Sequence, residues 1–104
     1  MMTDLMLMVS ISAGLEASSA GREYGDLHSL NEAYGVLAEE MDEVDEEITH
    51  MRDEFSVLLR MIRHEDDLVD TIRSIHSHAK MAACECIQVA AVAERFLDMI
   101  NKEE

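Results

Sequence analysis

The sequence predicts an all-α fold: a long antiparallel helical hairpin preceded by one shorter helix, assembling as an oligomer into a helical bundle. Three observations predict it. The 104 residues contain no Pro, and all four Gly lie at or before residue 35, so nothing breaks a helix from Val36 onward. Two long stretches carry apolar residues at alternating steps of three and four, the mark of a helical seam. Ser29, followed three residues later by Glu32, forms a capping box that opens the first of these stretches.

Residues 4–20 read as the first helix, with Leu5, Met8, Ile11 or Ser12, and Leu15 as its apolar stripe. Gly21 and Gly25 are expected to end it, leaving 21–28 as the one real loop. The second helix begins at Ser29. Its seam runs through Leu30, Tyr34, Leu37, Met41, Val44, Ile48, Met51, Phe55, Leu58 and Ile62, giving a rod of about 50 Å. Arg63 to Asp66 has no apolar residue and reads as a tight turn. Basic residues there suit the end of one helix and acidic residues the start of the next. The third helix repeats the seam at Leu68, Ile72, Ile75, Ala79, Ala82, Cys86, Val89, Ala93, Phe96 and Ile100. Asn101–Glu104 reads as a frayed polar tail. Tyr34 is expected in the core.

Composition narrows the function. At this length the chain is one domain, 1–104, with a core small enough that oligomerisation would help it. Apolar residues beside the seam, Val36, Val57, Leu59, Val69, Val92 and Leu97, point to a homodimer or homotetramer. The net charge of −15 argues against nucleic acid as a partner and suits a site that needs cations. The apolar N-terminal run is well short of the ~20 residues that span a bilayer, so no membrane partner is expected. It lacks the basic lead of an export signal, which makes the expected location cytoplasmic. Cys84 and Cys86 point in different directions on one helix and read as buried, reduced thiols.

The acidic residues concentrate in Ser29–Ile48, which holds eight of the 23. Glu40 and Glu43 lie one turn apart on one face. At that separation two carboxylates repel by about 3 kcal/mol at an effective dielectric of 20. In a hairpin turning between His64 and Glu65, residues whose numbers sum to about 129 sit side by side. Glu40 and Glu43 then face Glu85 and Gln88. The seam assigns Glu40 and Glu85 to matching edge positions, where g faces g in an antiparallel pair. Acidic helical faces are commonly just solvated. Two pairs meeting at one depth and one edge favour a site for a hard cation, Mg²⁺ with Mn²⁺ as the alternative.

The segment HSLNEAYGVLAEEMDEVDEEI resembles the first motif of the all-α, MazG-like nucleoside triphosphate pyrophosphohydrolase superfamily. That family carries EExxE on one helix and ExxD on a later one. Glu39, Glu40 and Glu43 match the first motif, and the segment from Cys84 to Phe96 resembles the second. Gln88 stands where the family has Asp, so it offers an oxygen without a charge. Residues 49–79 lengthen both helices equally beyond the motifs and leave the pairing intact.

The resemblance implies metal-dependent hydrolysis of a nucleoside triphosphate between its α and β phosphates. It implies Glu40, Glu43, Glu85 and Gln88 as metal ligands, and a catalytic role for Glu39 as ligand or base. Lys80 and Arg95 flank the second motif and could touch phosphates. Arg22, Tyr24 and His28 could shape a base pocket. The alternative is a helical interaction or nucleotide-binding module that performs no chemistry.

Overall fold

The computed structural model describes residues 3–103, which form three helices: α1 (Asp4–Tyr24), α2 (Leu30–Arg63) and α3 (Val69–Glu103). Thr3 caps α1, its hydroxyl accepting from the Met6 amide at 3.1 Å. The helix runs through Gly21, one turn further than its glycines suggest, and ends at Gly25. There φ is +77°, the left-handed region glycine enters without strain, and the Gly25 amide donates to the Gly21 carbonyl at 2.9 Å. The loop is therefore only 25–29.

Ser29 caps α2 as expected, its hydroxyl accepting from the Glu32 amide at 3.0 Å. The reciprocal half of the box is replaced: the Glu32 carboxylate pairs with His28 at 3.6 Å. One unbroken helix crosses 49–62. The turn comes slightly later than the charges suggest, with Arg63 still helical. His64 donates to the Arg60 carbonyl and Asp66 to that of Met61, each at 3.0 Å. Between them Glu65 takes φ +56°, a position that usually belongs to Gly. Asp67, not Glu65 or Asp66, holds the start of α3, its carboxylate accepting from the Val69 amide at 2.9 Å. Helix α3 continues through Asn101–Glu103, which sequence reasoning treats as a frayed tail.

Helix α3 is the central element: α2 packs along one side of it and α1 along another, and α1 does not pack on α2. The register of the hairpin is as expected. Met61 meets Thr71, Glu54 meets Ser74 and Glu47 meets His78. Helix α1 runs parallel to α3, with Glu16 beside Gln88 and Asp26 beside Lys102.

The seam itself differs from its sequence reading. Val44, Met51 and Leu58 on α2, and Ile75, Ala82 and Val89 on α3, are buried or half-buried as the seam requires. The other half of the expected stripe faces out. Tyr34 is 72% exposed and Phe55 70%, with Met41, Ile62, Ile72 and Ile100 also exposed. Their places inside are taken by the residues just before them in sequence. Glu40, Glu47, Glu54 and Met61 form the inner row of α2, and Thr71, His78, Glu85 and Val92 that of α3, each seven apart and none exposed. Both helices are turned by part of a residue step, which divides the apolar side chains between two faces. Glu40 and Glu85 are thus half-buried in the seam and not at its edge. Cys84 and Cys86 are free and exposed, because the same turn points position 86 outward. Among the described residues, no helix is long and apolar enough to cross a membrane.

The left-handed residue at the hairpin tip has a measurable consequence. Glu65→Gly relieves its steric cost and is expected to stabilise the fold by up to about 1 kcal/mol, read as a higher midpoint in urea. An unchanged or lower midpoint would show that this backbone carries no strain.

Candidate metal centre

The inner rows bring polar side chains together in layers. Glu54 accepts from the Ser74 hydroxyl at 3.2 Å. One heptad on, Glu47 and the His78 imidazole Nδ1 are 2.5 Å apart, and the His78 ring stacks on His50 with centroids 4.7 Å apart. One heptad further, the partner of Glu40 is not a donor but a third carboxylate. Glu40, Glu43 and Glu85 each offer an oxygen, and these oxygens lie within 4.8 Å of one another. The Oε2 atom of Glu40 is buried and accepts no hydrogen bond.

The electrostatics follow from this crowding. The hydrogen bond that Glu85 shares with Glu43 lifts the Glu85 carboxyl to about 7. Burial adds to this, as do the charges of Glu43, Glu40 and Glu47. Glu40 is raised as well, first by burial and then by the charge of Glu43 beside it. A carboxyl that stays protonated near neutrality is one answer to three like charges. A cation of hard character is the other.

Beside the triad lies a cleft of about 580 Å³, floored by α3 and walled by α1 and α2. Helices α1 and α2 pack on different sides of α3, which leaves the gap between them open. Glu39, Glu40, Gln88 and Arg95 line it, while Leu27, Val36, Ala91 and Val92 supply apolar surface. Tyr24 stands at its wall, but Arg22 does not. His28 faces a second, smaller cavity of about 370 Å³ between α1 and the end of α3.

The expected site residues therefore divide. Glu40, Glu43 and Glu85 converge; Glu39 is exposed and lies outside the triad, facing the cleft. Gln88 lies one turn beyond Glu85 on the same face of α3, and its Nε2 donates to Glu16 Oε2 at 3.0 Å. Arg95 lines both cavities and donates to the Gly25 carbonyl at 3.1 Å, tying the α1–α2 loop to α3. Lys80 is exposed and lines neither cavity. Sequence reasoning misses Glu16 and Glu47. Glu47 carried a signal, its seven-residue spacing from Glu40. Glu16 carried none, because the packing of α1 on α3 leaves no mark in local sequence. Comparison with protein-family models, curated proteins and solved structures finds no match for this chain.

The proton held by the triad fixes a pH dependence. Glu85 has a folded-state pKa raised from 4.5 to about 7, so its contribution to stability is fully present below about pH 4.5 and is lost as pH rises towards 7. In EDTA, the parent protein is expected to lose more stability across that interval than Glu43→Gln, which removes the main cause of the shift. Equal slopes of melting temperature against pH in the two proteins would refute the coupling.

Proposed function

We propose that this protein is a Mg²⁺-dependent nucleoside triphosphate pyrophosphohydrolase, giving the nucleoside monophosphate and pyrophosphate. The observation that carries this reading is the crowded carboxylate layer at Glu40, Glu43 and Glu85. Neighbouring layers of the same seam give each glutamate a hydroxyl or imidazole, whereas here three carboxylates meet and one buried oxygen has no partner. The donor set is all carboxylate oxygen, which fits Mg²⁺ or Mn²⁺. The motif resemblance supports the same assignment.

The cleft supports a nucleotide as substrate. Its volume lies within the range of small-molecule sites. It is lined by Glu16, Glu23, Glu32, Glu39 and Glu40 against a single guanidinium, that of Arg95. Such a lining repels a bare polyphosphate and admits one only with its charge neutralised. A bound divalent cation would supply that neutralisation and lower the pKa of the attacking water. Glu40, Glu43 and Glu85 would hold it. Glu39, outside the triad and in the cleft, would take the proton of that water. Leu27, Val36 and Val92 offer apolar surface to the base and sugar. Arg95 donates to the Gly25 carbonyl and would shape the cleft, and Lys80 is not among the residues that line it.

The same reading includes assembly as a homodimer or a dimer of dimers. Tyr34, Met41, Phe55, Leu59 and Ile62 form an exposed stripe along α2. Burying each such side chain is worth about 1.5–3 kcal/mol, enough in sum to offset the cost of association. Light scattering at micromolar concentration is expected to give twice the chain mass or more; a monomer would refute this.

The chemistry is tested by measuring pyrophosphate release from a panel of nucleoside triphosphates with and without Mg²⁺. Glu43→Gln is expected to abolish metal-dependent turnover and the rise in melting temperature that Mg²⁺ produces in the parent. Glu46→Gln, outside the triad, serves as the control and is expected to do neither. A Glu43→Gln protein that binds Mg²⁺ and releases pyrophosphate as the parent does would move the chemistry elsewhere.

A further inference from the structure

We propose that Glu16 is a positioning residue for the acidic triad, acting through Gln88; the inference rests on the metal-site reading above. Gln88 lies between two carboxylate-bearing helices. On one side is α1 with Glu16; on the other is α2 with Glu40, and all three line the same cleft. The two ends of an amide are chemically opposite, since its nitrogen only donates and its oxygen only accepts. An ionised carboxylate only accepts. Glu16 must therefore face the nitrogen, and it does, at 3.0 Å. With Nε2 held on the α1 side, Oε1 is the end left for the side of the triad. Glu16 thereby selects the one orientation in which Gln88 can support a cation.

The bond also polarises the amide. An N–H donated to a carboxylate makes the carbonyl oxygen of the same group a better acceptor. This is how the partners behind metal ligands work in general. It also accounts for an amide at position 88. A carboxylate there would meet Glu16 at hydrogen-bonding distance and repel it, whereas the amide turns the same approach into a bond. Helix α1 is in this way joined to a centre built on α2 and α3, although α1 does not pack on α2.

The test is a double-mutant cycle on Mn²⁺ affinity, measured by calorimetry and by the electron paramagnetic resonance signal of free Mn²⁺. The four proteins are the parent, Glu16→Ala, Gln88→Met and the double variant. Glu16 is exposed, so its truncation opens no cavity. Glu16→Ala is expected to weaken Mn²⁺ binding about tenfold or more. Gln88→Met, of similar shape but without an amide, is expected to weaken it at least as much. The double variant is expected to match Gln88→Met, because Glu16 has nothing left to orient. Unchanged affinity in Glu16→Ala overturns the inference while leaving the metal site standing. An undiminished effect of Glu16→Ala in the Gln88→Met background also overturns it, since Glu16 would then act by its charge alone. A parent protein that binds no Mn²⁺ overturns the metal-site reading and this inference with it.

Discussion

The hairpin is governed by carboxylates placed where a helical seam would ordinarily be apolar. Glu40, Glu47 and Glu54 recur every seven residues along the inner face of α2, and each must find a partner on α3 or remain unsatisfied. Glu54 takes the Ser74 hydroxyl and Glu47 the His78 imidazole. These layers favour the observed register, because a slip of one heptad that set Glu47 against Glu85 would deprive Glu47 of the His78 imidazole and put two carboxylates together. The series fails at Glu40, which meets Glu85 and Glu43. Failure at one layer among satisfied ones gives that layer its chemical meaning.

Helix α1 completes the arrangement from the other side. By packing on α3 alone it leaves a gap beside the triad, with Glu40 in its wall, and that gap is the cleft. Arg95, which lines the cleft, ties α3 to the Gly25 carbonyl, and Lys102 pairs with Asp26 at 3.2 Å beside the smaller cavity. Gly25 can end α1 abruptly because it tolerates φ +77°. The short loop that follows brings Leu27 back as a buried anchor against Ala33 and Met99. The cleft therefore depends on a cap, a loop and the Arg95 side chain as well as on the acidic residues.

Much of this was legible in sequence, for reasons of range. The Ser29 cap is decided within four residues. The hairpin register follows from the position of one turn, and with it the meeting of Glu40, Glu43 and Glu85. The rotation of the helices was not legible. Positions 41 and 40, or 86 and 85, compete for the same seam, and apolar character favours the first of each pair. Within one chain the second wins. For the same reason Tyr34 and Cys86 were misread as interior. Glu16 lay beyond reach because α1 is apolar on several faces, with Leu5, Met6, Leu7, Met8 and Val9 all exposed. Such a helix does not declare which side it docks.

The rotation links the two proposals made for this chain. Turning the helices inward on their glutamates places three like charges together and makes the triad. The same turn exports Tyr34, Met41, Phe55 and Ile62 and makes the outer apolar stripe. Neither face is satisfied by the chain alone: one lacks positive charge, the other lacks cover. A partner copy on the outer face would favour the rotation that crowds the glutamates, because the opposite rotation would withdraw the apolar side chains from the interface. A cation on the inner face would favour the same rotation by relieving the repulsion that opposes it. Assembly and metal binding, if both occur as proposed, would then stabilise one state of the hairpin, and each would strengthen the other.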